Sequence, residues 1–483
     1  MTGHDEAPRT HGPILATAEA IAHGRASAVE AVEESLRRIE ARDAGLGAVV
    51  ALQADVALEQ ARALDARRMR EGTPAGVLDG VPVLVKDLED VIGMPTRRGS
   101  AMFADAAPAL ADELVPAVLR RAGAVIVGKT NLPEFATEGF TDNLLDGPTH
   151  NPWAPAFSPG GSSGGSAAAL SAGMVPIATA TDGGGSVRIP SSMCGLVGIK
   201  PTHGAIGRWP VADWIDLSTY GPMATTVGDL RLLLSLMVGQ RSGDPSSAPS
   251  PWALEQRGPL RGPTHILIAE RTSPLGPLPS AVAAGFAEAA QAFAALWAVE
   301  VTVIEPGEVF GALGDPDLDW FVLATADHVN ALGRDQVREW LDRMHPAAAA
   351  FMRIGLDVGI DEYIAGRRRR AAYTRRLDDL LGASGLLLTP TVAVEGWLAD
   401  GQLPGGNGPG LLPAEVYSTA MQNISGHPAI SMPAGRYANG VPFGLQATGP
   451  RWRDDLLLDV AEAWEASRPW PRTAPGYDEF TVG

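Results

Sequence analysis

Lysine is almost missing from this chain. Of its 38 basic residues only Lys86, Lys129 and Lys200 are lysine, and the rest are arginine. Arginine cannot surrender its proton inside a protein, whereas a desolvated lysine can. A chain that meets nearly every basic need with arginine, yet keeps lysine upstream of glycine- and serine-rich loops, suggests a site that needs a titratable amine. Cysteine is down to one residue, Cys194. That excludes an internal disulfide framework and any cysteine-rich metal site. No apolar run reaches the roughly eighteen residues that would span a membrane. Met1 to Thr10 is polar and mixed in charge, unlike a signal peptide, so the cytoplasm is the expected compartment. Basic charge is also in deficit. The net charge of −18 would repel a nucleic acid. The one basic run, Arg367 to Arg370, has Asp361, Glu362, Asp378 and Asp379 around it and reads as a solvated helix face.

What is present is a globular chain of 483 residues, 45% hydrophobic. Residues 14–42 and 53–71 have helical spacing of apolar positions. From residue 80 the texture changes to short valine- and isoleucine-rich runs alternating with longer helical segments. The runs are Val81–Val85, Val125–Val127, Val175–Ala180, Ile266–Ala269, Val299–Ile304, Leu386–Leu388, Ala429–Met432 and Phe443–Gln446. Segments 280–298, 319–343 and 347–382 read as helices. This alternation predicts an α/β fold, a sheet with helices on its faces. The stretches 239–263 and 400–413 read as surface loops. There is no internal repeat.

Two motif matches mislead. Gly123 to Thr130 fits G-x-x-x-x-G-K-T, but its spacers Ala124, Val125, Ile126 and Val127 favour a buried strand over a curled phosphate loop. Gly160 to Gly164 fits G-x-S-x-G, the nucleophile elbow of α/β-hydrolases. That elbow needs a downstream acid and then a histidine. His427, the only histidine in the last 130 residues, sits in a turn-like Gly-His-Pro. With these set aside, no metal or cofactor is expected.

A different constellation remains. Amide hydrolysis needs a nucleophile, a base for its proton and donors for the oxyanion. Lys86 follows the run Val81–Val85 and so ends a predicted buried strand, where desolvation lowers an amine's proton affinity. Ser162 and Ser186 stand 24 residues apart in one glycine-rich stretch. The glycines before Ser186 offer unhindered backbone N–H groups.

Several segments together carry a family resemblance: Gly80-Val-Pro-Val-Leu-Val-Lys86-Asp87, Gly128-Lys-Thr-Asn-Leu-Pro-Glu-Phe135, Pro159-Gly-Gly-Ser162-Ser-Gly-Gly-Ser166, Thr181-Asp-Gly-Gly-Gly-Ser186-Val-Arg188 and Cys194-Gly-Leu-Val-Gly-Ile-Lys-Pro-Thr202. Asn423-Ile-Ser-Gly-His-Pro428 and Gly440-Val-Pro-Phe-Gly-Leu-Gln446 extend it. The chain resembles the amidase signature family, whose members use a Ser–cis-Ser–Lys triad. The resemblance implies one large domain with a central mixed sheet covered by helices. Within it an N-terminal helical region would reach about residue 75 and a catalytic core about 76–230. A variable substrate-side region would cover about 231–420, and a C-terminal sheet and helix the rest.

The resemblance makes Ser186 the nucleophile. Ser162, behind a cis peptide bond, would be the proton relay, and Lys86 the base and later acid. The N–H groups of Gly183, Gly184, Gly185 and Ser186 would form the oxyanion hole. Ser163, Asp182 and Arg188 would support the loop, and Lys129, Lys200 and Cys194 would be structural. Trp209 and Trp214 are candidates for the acyl pocket. The expected partner is a small-molecule amide, with no nucleic acid and no membrane, and a homodimer is compatible. The substrate would be a carboxamide or a related hydrazide, carbamate or cyclic amide. The rival is a subunit of a tRNA-dependent amidotransferase, but such subunits have an aspartate where this chain has Ser218. The arginine they carry before Thr-Val is also replaced, in Ala224-Thr225-Thr226-Val227.

Overall fold

In the computed structural model, residues 11–239, 241–249, 261–272, 277–405 and 418–483 are described. The expected loops at 239–263 and 400–413 fall partly outside these residues. Within them, 241–249 and 401–405 hold turns and bends without helix or strand.

The thirteen strands among the described residues are β1 (Val49–Leu52), β2 (Pro82–Lys86), β3 (Val125–Thr130), β4 (Ile177–Ala178), β5 (Thr181–Asp182), β6 (Val197–Lys200), β7 (Thr219–Tyr220), β8 (Met223–Ala224), β9 (His265–Ile268), β10 (Glu300–Val303), β11 (Leu386–Pro390), β12 (Ala429–Arg436) and β13 (Pro442–Thr448). They form a four-stranded sheet in the order β1-β3-β2-β4, a seven-stranded mixed sheet in the order β10-β9-β11-β13-β12-β6-β8, and the small pair β5-β7. Each of the eight apolar runs contributes a strand. One apolar core joins the two larger sheets: Val83 and Val85 of β2 belong to the same buried cluster as Ile199 of β6, Leu388 of β11 and Leu445 of β13. The fold is therefore a single α/β unit.

Helices are shorter than periodicity alone predicts, and the breaks have local causes. The 14–42 segment divides into Pro13–Ala22 and Ala28–Arg42. Gly24 takes a φ of +68°, which glycine adopts without a Cβ penalty. The second helix restarts on a capping box, in which the Glu30 N–H donates to Ser27 Oγ at 3.1 Å and the Ser27 N–H to Glu30 Oε2 at 2.7 Å. The 319–343 segment likewise breaks at Gly333, φ +89°, into Pro316–Leu332 and Arg334–Trp340.

The four-stranded sheet positions the candidate site. β2 is an inner strand, parallel to β3 on one side and to β4 on the other, with Val83 opposite Ile177 and Leu84 opposite Ala178. Its residues Val83, Leu84 and Val85 have no exposed surface. The strand thus delivers Lys86, its last residue, into the interior. The helix Gly164–Ser171 packs on β2, β3 and β4. It follows Ser162, and the chain returns through β4 toward Ser186.

Candidate active site

Lys86 is fully buried. Its Nζ donates to Ser162 Oγ at 2.8 Å, to Ser163 Oγ at 3.0 Å and to Thr181 Oγ1 at 3.1 Å. Loss of hydration drives its pKa down to about 7, against the opposing charges of Glu89 and Asp182. A lysine so placed is half neutral near pH 7 and can accept a proton. The peptide bond between Gly161 and Ser162 is cis. It stands in a close-packed turn, where a Cβ on Gly161 would lie 2.5 Å from the Phe140 carbonyl oxygen.

Ser186 lies at the end of the glycine run and borders the same cavity as Ser162. Beneath that run, Asp182 and Arg188 form a buried ion pair. The guanidinium meets both carboxylate oxygens, at 2.8 and 2.9 Å. It also donates to the side chains of Gln422, Gln446 and Asn423 and to the Thr419 carbonyl. Burial opposes ionisation of Asp182, but Arg188, Lys200 and Asn423 outweigh it and hold the carboxyl below its ordinary range. Asp182 in turn accepts from the N–H of Gly185 at 2.9 Å and of Val187 at 3.2 Å.

The bond from Gly185 corrects one expectation. Its N–H is already committed to Asp182 and is not a free oxyanion donor. The N–H groups of Gly183, Gly184 and Ser186 have no acceptor among the described residues. The loop has no room for side chains: a Cβ on Gly183 would lie 2.0 Å from the Trp214 ring, and one on Gly184 2.5 Å from that of Trp320. Trp320 Nε1 also donates to the Gly183 carbonyl at 2.7 Å.

Of the two candidate pocket tryptophans, only Trp214 lines the cavity. Trp209 is 60% exposed and lies over Gly243, outside it. The bond between Trp209 and Pro210 is cis, and the residues on either side of Trp209, Arg208 and Pro210 to Trp214, line the wall.

Two other wall residues carry no signal in the sequence. His328, on the helix Pro316–Leu332, is fully enclosed, and neither ring nitrogen has a partner. Burial lowers its pKa to about 4. His328 lacks the hydrogen-bonded acid that would orient a general base. Glu89 is the second. It is buried two positions past Asp87, where the chain turns from β2 toward the cavity.

The remaining residues sit elsewhere. Lys129 donates to Asp87 Oδ1, the Pro95 carbonyl and Thr96 Oγ1, all within 3.0 Å. Lys200 donates to the Pro201 carbonyl at 2.8 Å, and burial, then Arg188, lower its pKa to about 7. Cys194 is a buried thiol whose pKa burial raises. His427 lies near Ser425 and Asp378, each 3.2 Å from a ring nitrogen, and does not line the cavity. No cluster of metal-ligating side chains occurs among the described residues, and no helix there is long and apolar enough to cross a membrane.

Comparison with known proteins identifies the family. The Amidase family model matches residues 30–458. An acylamidase of Rhodococcus erythropolis is 34% identical, over 95% of this chain and 96% of that protein. A subunit of the glutamyl-tRNA(Gln) amidotransferase of Chloroflexus aurantiacus is 32% identical, over 96% and 98%. Among solved structures, a bacterial aryl acylamidase of the amidase signature family superposes with a TM-score of 0.84 at 28% identity, covering 95% of this chain and 97% of that one. A 6-aminohexanoate cyclic dimer hydrolase bound to its substrate superposes with a TM-score of 0.81 at 28% identity, over 96% and 98%. The chain belongs to the amidase signature family.

Proposed function

We propose that the chain hydrolyses the C–N bond of small-molecule amides through an acyl-enzyme on Ser186. The observation that carries this reading is the Lys86–Ser162 contact of 2.8 Å at the buried end of β2. A neutral lysine there can direct its two N–H bonds at Ser163 and Thr181 and leave its lone pair to Ser162. Ser162 passes its proton to Lys86 as it takes the proton of Ser186. The Ser186 oxygen then attacks the carbonyl, and the oxyanion is met by the N–H groups of Gly183, Gly184 and Ser186. When the C–N bond breaks, the proton returns through Ser162 to the leaving nitrogen. Water, deprotonated by the same relay, then releases the acid. No histidine enters this sequence.

The substrate is a carboxamide or a related hydrazide, carbamate or cyclic amide. The similarity to an acylamidase and to a 6-aminohexanoate cyclic dimer hydrolase supports this. A second reading, an amidotransferase subunit that works only with partner subunits, is favoured by the relatives of that name. Ser218 in place of an aspartate, on the cavity wall, weighs against it. The deciding experiment gives the purified chain alone a panel of aryl and alkyl amides. Turnover without partners supports the hydrolase, and activity only in the presence of partner subunits supports the second reading. On the same panel Ser162→Ala should lose several orders of magnitude in kcat, because coupled residues act as a unit. His427→Ala and His203→Ala should lose little. A dead, folded His427→Ala beside an active Ser162→Ala would defeat the mechanism.

A further inference from the structure

One wall of the cavity carries a buried carboxyl oxygen with no partner. Glu89 is buried, and Thr179 Oγ1 donates to its Oε2. Thr179 is itself fixed by the Lys86 N–H at 2.9 Å. The other oxygen, Oε1, has no hydrogen-bond partner. A buried polar atom left so is uncommon in a folded protein, and beside a cavity it points to a ligand. Glu113 and Asp90 line the same end. Glu113 accepts from the Tyr220 hydroxyl on one oxygen and from the Asp90 N–H on the other, and Asp90 accepts from Thr96, so of the three only Glu89 has a buried oxygen left free.

Of the two arginines on this cavity one is paired and one is partly engaged, with the Arg208 Nε left without a partner. Arg98 pairs with Asp213 at 2.9 Å. Arg208 lies over the Tyr220 ring at 5.1 Å and donates to the Ser218 carbonyl. This end of the cavity therefore presents three carboxyl groups to one guanidinium. Burial, then the charge of Glu113, push the Glu89 pKa up to about 8, against Thr179, Lys86 and Lys129.

Resting on the hydrolase reading, we propose that Glu89 is a specificity-determining residue whose free oxygen takes an ammonium group on the substrate. The site would then select amides that carry a basic amine away from the scissile bond. The proton balance is simple. In the empty site at pH 7 Glu89 holds a proton, and an arriving ammonium displaces it to solvent. The carboxylate then accepts the ammonium N–H, and no covalent bond changes.

The test measures binding to the Ser186→Ala protein by calorimetry. Its probes are two anilides of equal length, one with an acyl chain ending in a primary amine and one ending in methyl, plus the same pair with the difference moved to the aniline side. In one pair the amine member is expected to bind at least about tenfold tighter. Its heat should depend on the buffer at pH 7, reporting release of close to one proton. Glu89→Gln in the same background should abolish both the preference and the proton release. Equal binding within both pairs, or a preference that survives Glu89→Gln, overturns the proposal. If Glu89→Gln does not fold, tight amine binding without proton release overturns it equally. Failure of the wild-type chain to hydrolyse either anilide would count against the hydrolase reading and leave the binding result standing.

Discussion

In the proposed mechanism Lys86 is the base, and its pKa makes that role testable in two ways. Activity requires the neutral amine, so kcat/KM should rise with pH to a plateau through an apparent pKa near 7. Lys200 also has a pKa near 7 but borders neither serine nor cavity, so Lys200→Met should leave that limb in place. Disappearance of the limb in Lys200→Met would contradict the assignment. Lys86→Arg keeps the charge, cannot deprotonate, and should be nearly inactive; near-normal turnover would sink the base role. Stability offers the second check. The folded pKa lies below the unfolded one, so between about 7 and 10.5 the unfolded chain holds a proton that the fold has shed. Stability contributed through Lys86 therefore rises with pH across that window and is lowest below 7. The full difference is roughly 5 kcal/mol for such a shift. Lys86→Met should accordingly gain most in urea unfolding at pH 6 and progressively less toward pH 10. A gain independent of pH would contradict a neutral buried lysine.

Among the elements, the loop from Asp182 to Arg188 has the most exacting geometry. Removing Arg188 leaves the Asp182 carboxylate buried without its partner, so Arg188→Met should cost about 3–5 kcal/mol in stability as well as activity. Gly183→Ala should act differently. Its Cβ would collide with the Trp214 ring, so the loop must shift, and kcat should fall far more than the melting temperature. A normal kcat in Gly183→Ala would show that this loop is not where the oxyanion sits. This loop also marks how far the sequence could be read. Apolar runs such as Val81–Val85 are continuous because their strands are buried on both faces, so they announce themselves. Lys86 was legible because a strand end and a rare lysine coincide. The two-residue strands β5, β7 and β8 have no periodicity to show. The helices Leu114–Arg121 and Val227–Met237 are too short to show a sustained apolar period, whereas the C-terminal helix Asp454–Ser467 falls where the family resemblance implies one. Glu89 and His328 come to one cavity from segments more than 200 residues apart, and nothing local in either segment marks that meeting. Trp209 and Trp214 look alike in sequence, yet one ring is 60% exposed and the other is part of the cavity wall.

At the scale of the whole molecule, the helix Ala28–Arg42 ties the C-terminal segment to the part of the fold that holds the candidate site. Arg38 Nη1 donates to the carbonyls of Gly173, Asp478 and Glu479 at 2.9 to 3.1 Å, and its guanidinium lies 5.1 Å from the Phe480 ring. Arg38→Ala should lower the unfolding free energy by about 1–3 kcal/mol with little change in kcat, because it strands buried carbonyls remote from the cavity. The proposed seryl acyl-enzyme on Ser186, from which every other proposed step follows, is best probed on the intact chain with a fluorophosphonate, read by mass spectrometry and peptide mapping. One adduct per chain is expected, on Ser186, and none on Ser186→Ala. Labelling of Ser186→Ala at another serine, or an adduct on Ser162 in the wild-type chain, would contradict it.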